Sequence, residues 1–310
     1  MKKRGFLFVI VLGVALVVVF LYRFEPKNSN PNQQSDSQLR VVTSFYPLYF
    51  FAEWIGGDLT HITNIIPVGI EPHDYELTGQ DMATIEKSKL VILNGGRLES
   101  WGEKIKQNID LHKTLIITVG EGLATQYFVE DEKNRIDPHV WLAPALAKQM
   151  VNKIAIGFAE ANPTNAGYYA ARAATLDLAL DSLDQEYQQG LANCVRRDFI
   201  TSHNAFGYLA AAYNLNQIPI AGLSPETEPS PRQLAEVARL AKQTGAKIIF
   251  FESLASPKLS QAIAGEVGAQ TMVLNPIEGL TESEIVAGRN YLTEMRQNLI
   301  NLKIALQCTP

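Results

Sequence analysis

Three histidines and one glutamate, His73, His139, His203 and Glu278, stand 66, 64 and 75 residues apart in a chain of 310. Imidazole nitrogens and carboxylate oxygens are donors that first-row divalent metals take from proteins, so the chemistry open to this set is metal binding. The segments that carry them are Glu71-Pro72-His73-Asp74-Tyr75-Glu76, Asp137-Pro138-His139-Val140-Trp141-Leu142, Thr201-Ser202-His203-Asn204-Ala205-Phe206 and Asn275-Pro276-Ile277-Glu278-Gly279. Wide spacing is weak evidence by itself. Any one of these histidines, taken alone, reads as readily as a structural or surface residue, and the two others in the chain, His61 and His112, are assigned to that class.

The elements that must hold the set can be read in order along the chain. Arg40 to Phe45 is β-rich and runs through Tyr46-Pro47 into a helical stretch, Leu48 to Ile55, that stops at Gly56-Gly57. His61 to Pro67 reads as a second strand, and the loop carrying His73 follows it. Thr78 is placed to cap a helix over Gln80 to Ser88. Leu90 to Asn94 is a buried strand, Trp101 to Gln107 a helix and Thr114 to Thr118 a fourth strand. Strands and helices alternating at these spacings indicate βαβ units and a parallel sheet. Gly120 to Ile136, rich in acids, reads as an exposed loop.

Beyond the central Asp-Pro-His the pattern turns helical, Ala145 to Ala161, then a long segment from Pro163 to Gly190 in which Leu176, Leu180, Leu183 and Tyr187 form one apolar stripe. The second half then repeats the first: strand Phe199 to Thr201 ending in Thr-Ser, helix Tyr208 to Tyr213, strand Gln217 to Gly222, helix Arg232 to Thr244 and strand Lys247 to Glu252. Two halves with one order of elements predict pseudo-twofold lobes with a cleft between them. Ligands bind such sheets at the carboxyl ends of the strands, where these histidines fall.

The four motifs, in this order and covering the chain from Arg40 to its end, resemble the zinc/manganese-binding solute receptors of ABC metal importers. That resemblance implies an α/β fold of two Rossmann-like lobes with parallel sheets, joined by one long rigid helix, with the metal site in the interlobe cleft. On this reading residues 40–162 and 191–310 are the lobes and 163–190 the connecting helix. It also implies His73, His139, His203 and Glu278 as metal ligands, with no catalytic residue, and a separate permease and ATPase chain as partners of a monomeric receptor. Three neutral imidazoles and a carboxylate suit tetrahedral Zn²⁺, whereas two histidines and two carboxylates suit Mn²⁺ better. His203 discriminates the two, since manganese members resembling this chain carry a carboxylate there. Glu278 matches the fourth ligand of the Asn-Pro-x-Glu-Gly receptors; the alternative is a loop glutamate with water in its place. Asp74, Glu76, Asn204 and Glu252 are candidates for orienting the imidazoles. Unlike many zinc receptors of the family, the segment before the central motif has no histidine.

Other functions find less support. A zinc hydrolase needs an open coordination position, which a coordinating Glu278 closes, and no His-Glu-x-x-His occurs. There is no Gly-x-x-x-x-Gly-Lys-Ser/Thr nucleotide loop. Residues 1–39 carry a balance of +3 and leave −8 on the rest of the chain, which argues against nucleic-acid binding.

At the N-terminus, Lys2-Lys3-Arg4 precedes 17 apolar residues, Phe6 to Tyr22, about 26 Å as a helix. With no small-x-small cleavage site close behind it, Ser35-Asp36-Ser37 lying too far downstream, and no cysteine to lipidate, residues 1–24 are expected to be a retained anchor; a cleaved signal peptide is the alternative. Residues 25–39 are expected to be a flexible linker to an extracytoplasmic domain, in the periplasm or on the outer face of the membrane. The two cysteines, Cys194 and Cys308, are expected to form a disulfide in that compartment.

Overall fold

The computed structural model describes residues 38–309 apart from 131, 132 and 227. The anchor expected over residues 6–22, and the linker up to residue 37, lie outside the described residues. Among the described residues no helix is long and apolar enough to cross a membrane.

The first sheet grows from β1 (Leu39–Thr43), which pairs in parallel with β2 (Thr60–Asn64) on one side and β3 (Leu90–Leu93) on the other; β4 (Leu115–Thr118) adds to β3. Leu-Val-Ile-Leu of β3 is buried throughout, as a strand covered by helices on both faces must be. The crossovers are α1 (Tyr46–Gly56), α2 (Gly79–Glu86) and α3 (Gly102–Asn108). Thr78 caps α2 as expected, in a reciprocal capping box with Asp81.

The second sheet contains β7 (Asp198–Thr201), β8 (Asn216–Pro219), β9 (Ile248–Phe251) and β10 (Gln270–Val273), all parallel. Its order, β8-β7-β9-β10, reproduces the order β2-β1-β3-β4 of the first. The repeat read from the sequence is therefore a repeat of topology. Its helices are α6 (Gly207–Ala212), α7 (Pro231–Thr244), α8 (Lys258–Val267) and, after β10, α9 (Glu282–Val286) and α10 (Tyr291–Leu306).

Between the sheets, α4 (Pro144–Ala161) leads through a 3-10 turn, Pro163–Asn165, into α5 (Ala166–Gly190). At 25 residues α5 is about 37 Å long. Its buried stripe is Tyr169, Ala173, Leu176, Leu180, Leu183 and Tyr187, spaced by fours and threes. At one end Arg172 donates from Nε to the Trp54 carbonyl of α1 (2.6 Å); at the other the Tyr187 hydroxyl donates to the Met295 carbonyl of α10 (2.6 Å). One apolar cluster runs from Val41 and Phe45 through this stripe to Phe206, Tyr291 and Leu302, so both halves share a core. Smaller clusters cover the other face of each sheet.

One feature differs from the sequence reading. Gly120 to Ile136 is not all loop: β5 (Tyr127–Glu130) and β6 (Lys133–Ile136) form an antiparallel hairpin. Tyr127-Phe128-Val129 supplies the β-forming residues, while the acidic run that follows, Glu130-Asp131-Glu132, gave the segment the composition of a loop. Trp141 ties its turn to the segment that leads to Glu278. Its ring lies edge-on to Phe45 at 4.7 Å, and its Nε1 donates to the Pro276 carbonyl 2.8 Å away, on the segment leading to Glu278. The cysteines pair as expected, Cys194 with Cys308 across 114 residues.

Candidate metal centre

His73 lies on the loop between β2 and α2, where the Glu71 carboxylate accepts the His73 backbone N–H at 3.0 Å and fixes the turn. His139 leads into the 3-10 turn Val140–Leu142 after the hairpin. Asp137 Oδ1 accepts both its backbone N–H (3.0 Å) and its ring Nδ1–H (2.7 Å). The Pro138 carbonyl is in turn held by Asn94 Nδ2 at 3.0 Å. His203 follows β7, and its Nδ1–H donates to Glu252 Oε1, at the end of β9, over 2.6 Å; Ser202 Oγ donates to the same oxygen.

Glu278 follows β10 on a segment clamped by α10. Asn275 N donates to Asn298 Oδ1 (2.9 Å), and Asn298 Nδ2 donates to the Asn275 carbonyl (2.6 Å). The buried Ile277 between them has φ 59°, a conformation that costs a β-branched residue about 1–3 kcal/mol. Its N–H donates to Asn275 Oδ1 at 2.7 Å, which holds the bend that turns Glu278 toward the histidines.

All four candidates come together, and their ligand atoms lie within 4.8 Å of one another. His73 Nε2 is 3.2 Å from both His139 Nε2 and Glu278 Oε1, and His139 Nε2 is 3.0 Å from Glu278 Oε1. His203 Nε2 is 3.4 Å from His139 Nε2 and 3.6 Å from Glu278 Oε1. A tetrahedron with metal–donor bonds of about 2.0–2.1 Å has edges of about 3.3–3.4 Å, so these separations fit zinc. Two of the rings give their Nδ1–H to a carboxylate, which leaves the Nε2 lone pair facing the centre. His61 and His112 are exposed and remote from the cluster, as expected.

The electrostatics are those of a buried acid–base cluster. Burial alone would depress the His203 pKa, but Glu252 and Glu278 outweigh it and raise it well above the ordinary value. His139 is raised in the same way, by Asp137 and Glu278 against burial. For His73 burial prevails over Glu278 and the shift is downward. Burial pushes Glu278 up, yet the three imidazoles hold it well below the usual carboxylate range. Glu71 is pushed up to about 8 by burial and by the neighbouring Glu278 charge.

Of the residues proposed from position to orient the rings, Glu252 does so, and no ring contact to Asp74, Glu76 or Asn204 is found. Asp137 was not among them, although Asp-x-His is a readable signal: an aspartate two residues before a histidine can accept its backbone N–H and its ring together.

Residues 41–305 match the family described as zinc-uptake complex component A, periplasmic. The chain is 36% identical to the high-affinity zinc uptake system protein ZnuA of Bacillus subtilis over 98% of both chains. It is 34% identical to the zinc-binding protein AdcA of Streptococcus pyogenes over 98% of this chain, and spans 62% of that longer protein. Among solved structures, the Zn(II)-bound ZnuA-like domain of Streptococcus pneumoniae AdcA superposes with a TM-score of 0.76 at 35% identity, covering 87% of this chain and 99% of that one. The chain belongs to the zinc-uptake component A family, whose members are extracytoplasmic solute-binding components of ABC importers and not enzymes.

Proposed function

We propose that this protein captures Zn²⁺ outside the cytoplasm and delivers it to an ABC importer whose permease and ATPase are separate chains. The ion is cargo, held by His73 and His139 from the lobe of residues 40–162 and by His203 and Glu278 from the lobe of residues 191–310, with 163–190 connecting the two. The observation that carries this reading is the convergence of three Nε2 atoms and one carboxylate oxygen at the edge lengths of a zinc tetrahedron. The receptor acts as a monomer, kept close to its permease by the apolar segment of residues 6–22.

The test is a zinc titration of the metal-free protein against a competing chromophoric chelator, with His203→Ala and Glu278→Ala alongside. Each variant is expected to lose more than about 100-fold in affinity, beyond what removal of an orienting partner costs. Unchanged affinity in Glu278→Ala would make water the fourth ligand; unchanged affinity in both would remove the cluster as the site.

A further inference from the structure

Glu99 is a buried carboxylate that is not one of the four converging ligands, and among the described residues no cation pairs with it. Three neutral donors meet it instead: Ser44 Oγ–H (2.6 Å) and the Asn94 N–H (2.7 Å) on Oε1, and the Gly95 N–H (2.9 Å) on Oε2. Burial pushes its carboxyl up, and these donors oppose the shift. Burying a carboxylate without a counter-charge is costly, and only the hydrogen bonds made to it offset that cost.

Its place repeats a feature of the other sheet. Ser202 follows β7 and donates from Oγ to Glu252, at the end of β9, which also takes the His203 Nδ1–H. In the first sheet β1 and β3 hold the places of β7 and β9. There Ser44 follows β1 and donates to Glu99, from the loop after β3. Phe45 stands in sequence where His203 does, so Glu99 has no ring to orient. It turns on to the backbone of Asn94 and Gly95.

That backbone reaches a metal ligand in one further step. Asn94 Nδ2 donates to the Gly95 carbonyl (3.1 Å) and to the Pro138 carbonyl (3.0 Å). Two carbonyl oxygens beside one atom require it to be the NH₂ group, so the side chain has a single orientation. Gly96, at φ 64°, passes so close to Pro138 that a Cβ there would lie 3.2 Å from the proline Cα. Pro138 precedes His139, and its carbonyl also accepts the Val140 N–H at 2.8 Å. The peptide that carries His139 is thus seated on the turn that Glu99 holds.

We infer that Glu99 is a positioning residue for zinc: through the Asn94-Gly95 turn and the Pro138 carbonyl it sets where His139 presents Nε2, as Glu252 does directly for His203. This rests on the zinc-receptor reading above. Each lobe then carries one serine-held carboxylate behind its ligands, one acting on a ring and the other on a backbone turn.

Co²⁺ is the probe, because its visible absorption bands report the geometry of the donors around it. Co²⁺ spectra and zinc affinities from chelator competition are compared for the full-length protein, Glu99→Gln, Asn94→Ala and the double variant, with urea unfolding to establish that each is folded. Glu99→Gln sets an NH₂ against the N–H donors of the turn, and Asn94→Ala releases the Pro138 carbonyl. Each is expected to bind zinc about ten-fold more weakly and to change the Co²⁺ bands in the same way. Because both break one chain of contacts, the double variant is expected to be no weaker than the weaker single one. A carboxylate that only stabilises the fold would lower the urea midpoint and leave the bands and the affinity of the folded protein as in wild type. That result, or losses that add in the double variant, would overturn the inference and leave the receptor reading standing. If Glu99→Gln does not fold, Ser44→Ala, which takes one of the three donors from Glu99, replaces it: a smaller change in the same bands is expected, and unchanged bands would overturn the inference. Wild-type protein that takes up neither ion would overturn both.

Discussion

At the scale of single residues, the centre is governed by which groups hold protons when no ion is bound. Glu252 and Asp137 orient His203 and His139 and also keep protons on them. Glu252→Gln keeps the shape but removes the charge, and zinc affinity is expected to fall about 10–100-fold in a chelator competition. Zinc must displace any proton on Nε2. Because the pKa values of His139 and His203 are raised, those protons persist above the ordinary histidine value of about 6.5. Apparent affinity is therefore expected to decline already from above that pH and to continue falling in acid; a titration showing no loss at pH 5 would contradict it. Glu278, held low, stays ionised throughout this range. The four candidate ligands could be singled out because each sits in a compact motif that resembles those of the zinc/manganese receptors, and the structure brings them together. Glu252 could be proposed only by position, since its pairing with a histidine 49 residues away needs β7 and β9 side by side.

Among the elements, the 3-10 turn Val140–Leu142 and the segment Asn275 to Glu278 form one unit. Trp141 Nε1 donates to the Pro276 carbonyl, and the Tyr291 hydroxyl of α10 donates to the Trp141 carbonyl at 2.5 Å. Both ends of the ligand set are thereby tied across the cleft. Trp141→Phe keeps most of the packing but leaves a buried carbonyl unpaired, at a cost of about 1–3 kcal/mol in urea unfolding. Strands and helices were legible where period and caps agreed, as in the Thr78 box and the stripe of α5. The hairpin was not: Tyr127 and Val129 lie exposed, and a short ribbon with no buried face has no core-facing pattern to read. The left-handed Ile277 was likewise invisible, because a β-branched residue is the one least expected there.

For the whole molecule, α5 and the shared core argue for a receptor that closes little. Trp54 and Tyr187 contacts anchor α5 at both ends, and the apolar cluster is continuous through it. Zinc binding is expected to leave the radius of gyration unchanged within error in solution scattering; a clear contraction would contradict a rigid connector. The Cys194–Cys308 bridge closes a 114-residue span, so Cys308→Ser is expected to lower stability by up to about 5 kcal/mol in denaturant unfolding, with zinc affinity retained. The repeat of topology was legible from the recurrence of Thr-Ser strand ends, but the continuity of the core was not, since it depends on the apolar faces of α4, α5 and α10 meeting. Three imidazoles and one carboxylate should select Zn²⁺ over Mn²⁺. Competitive binding of Zn²⁺ and Mn²⁺ to the metal-free protein measures it: zinc is expected to displace manganese completely at equal concentration, and preferential retention of manganese would contradict the account.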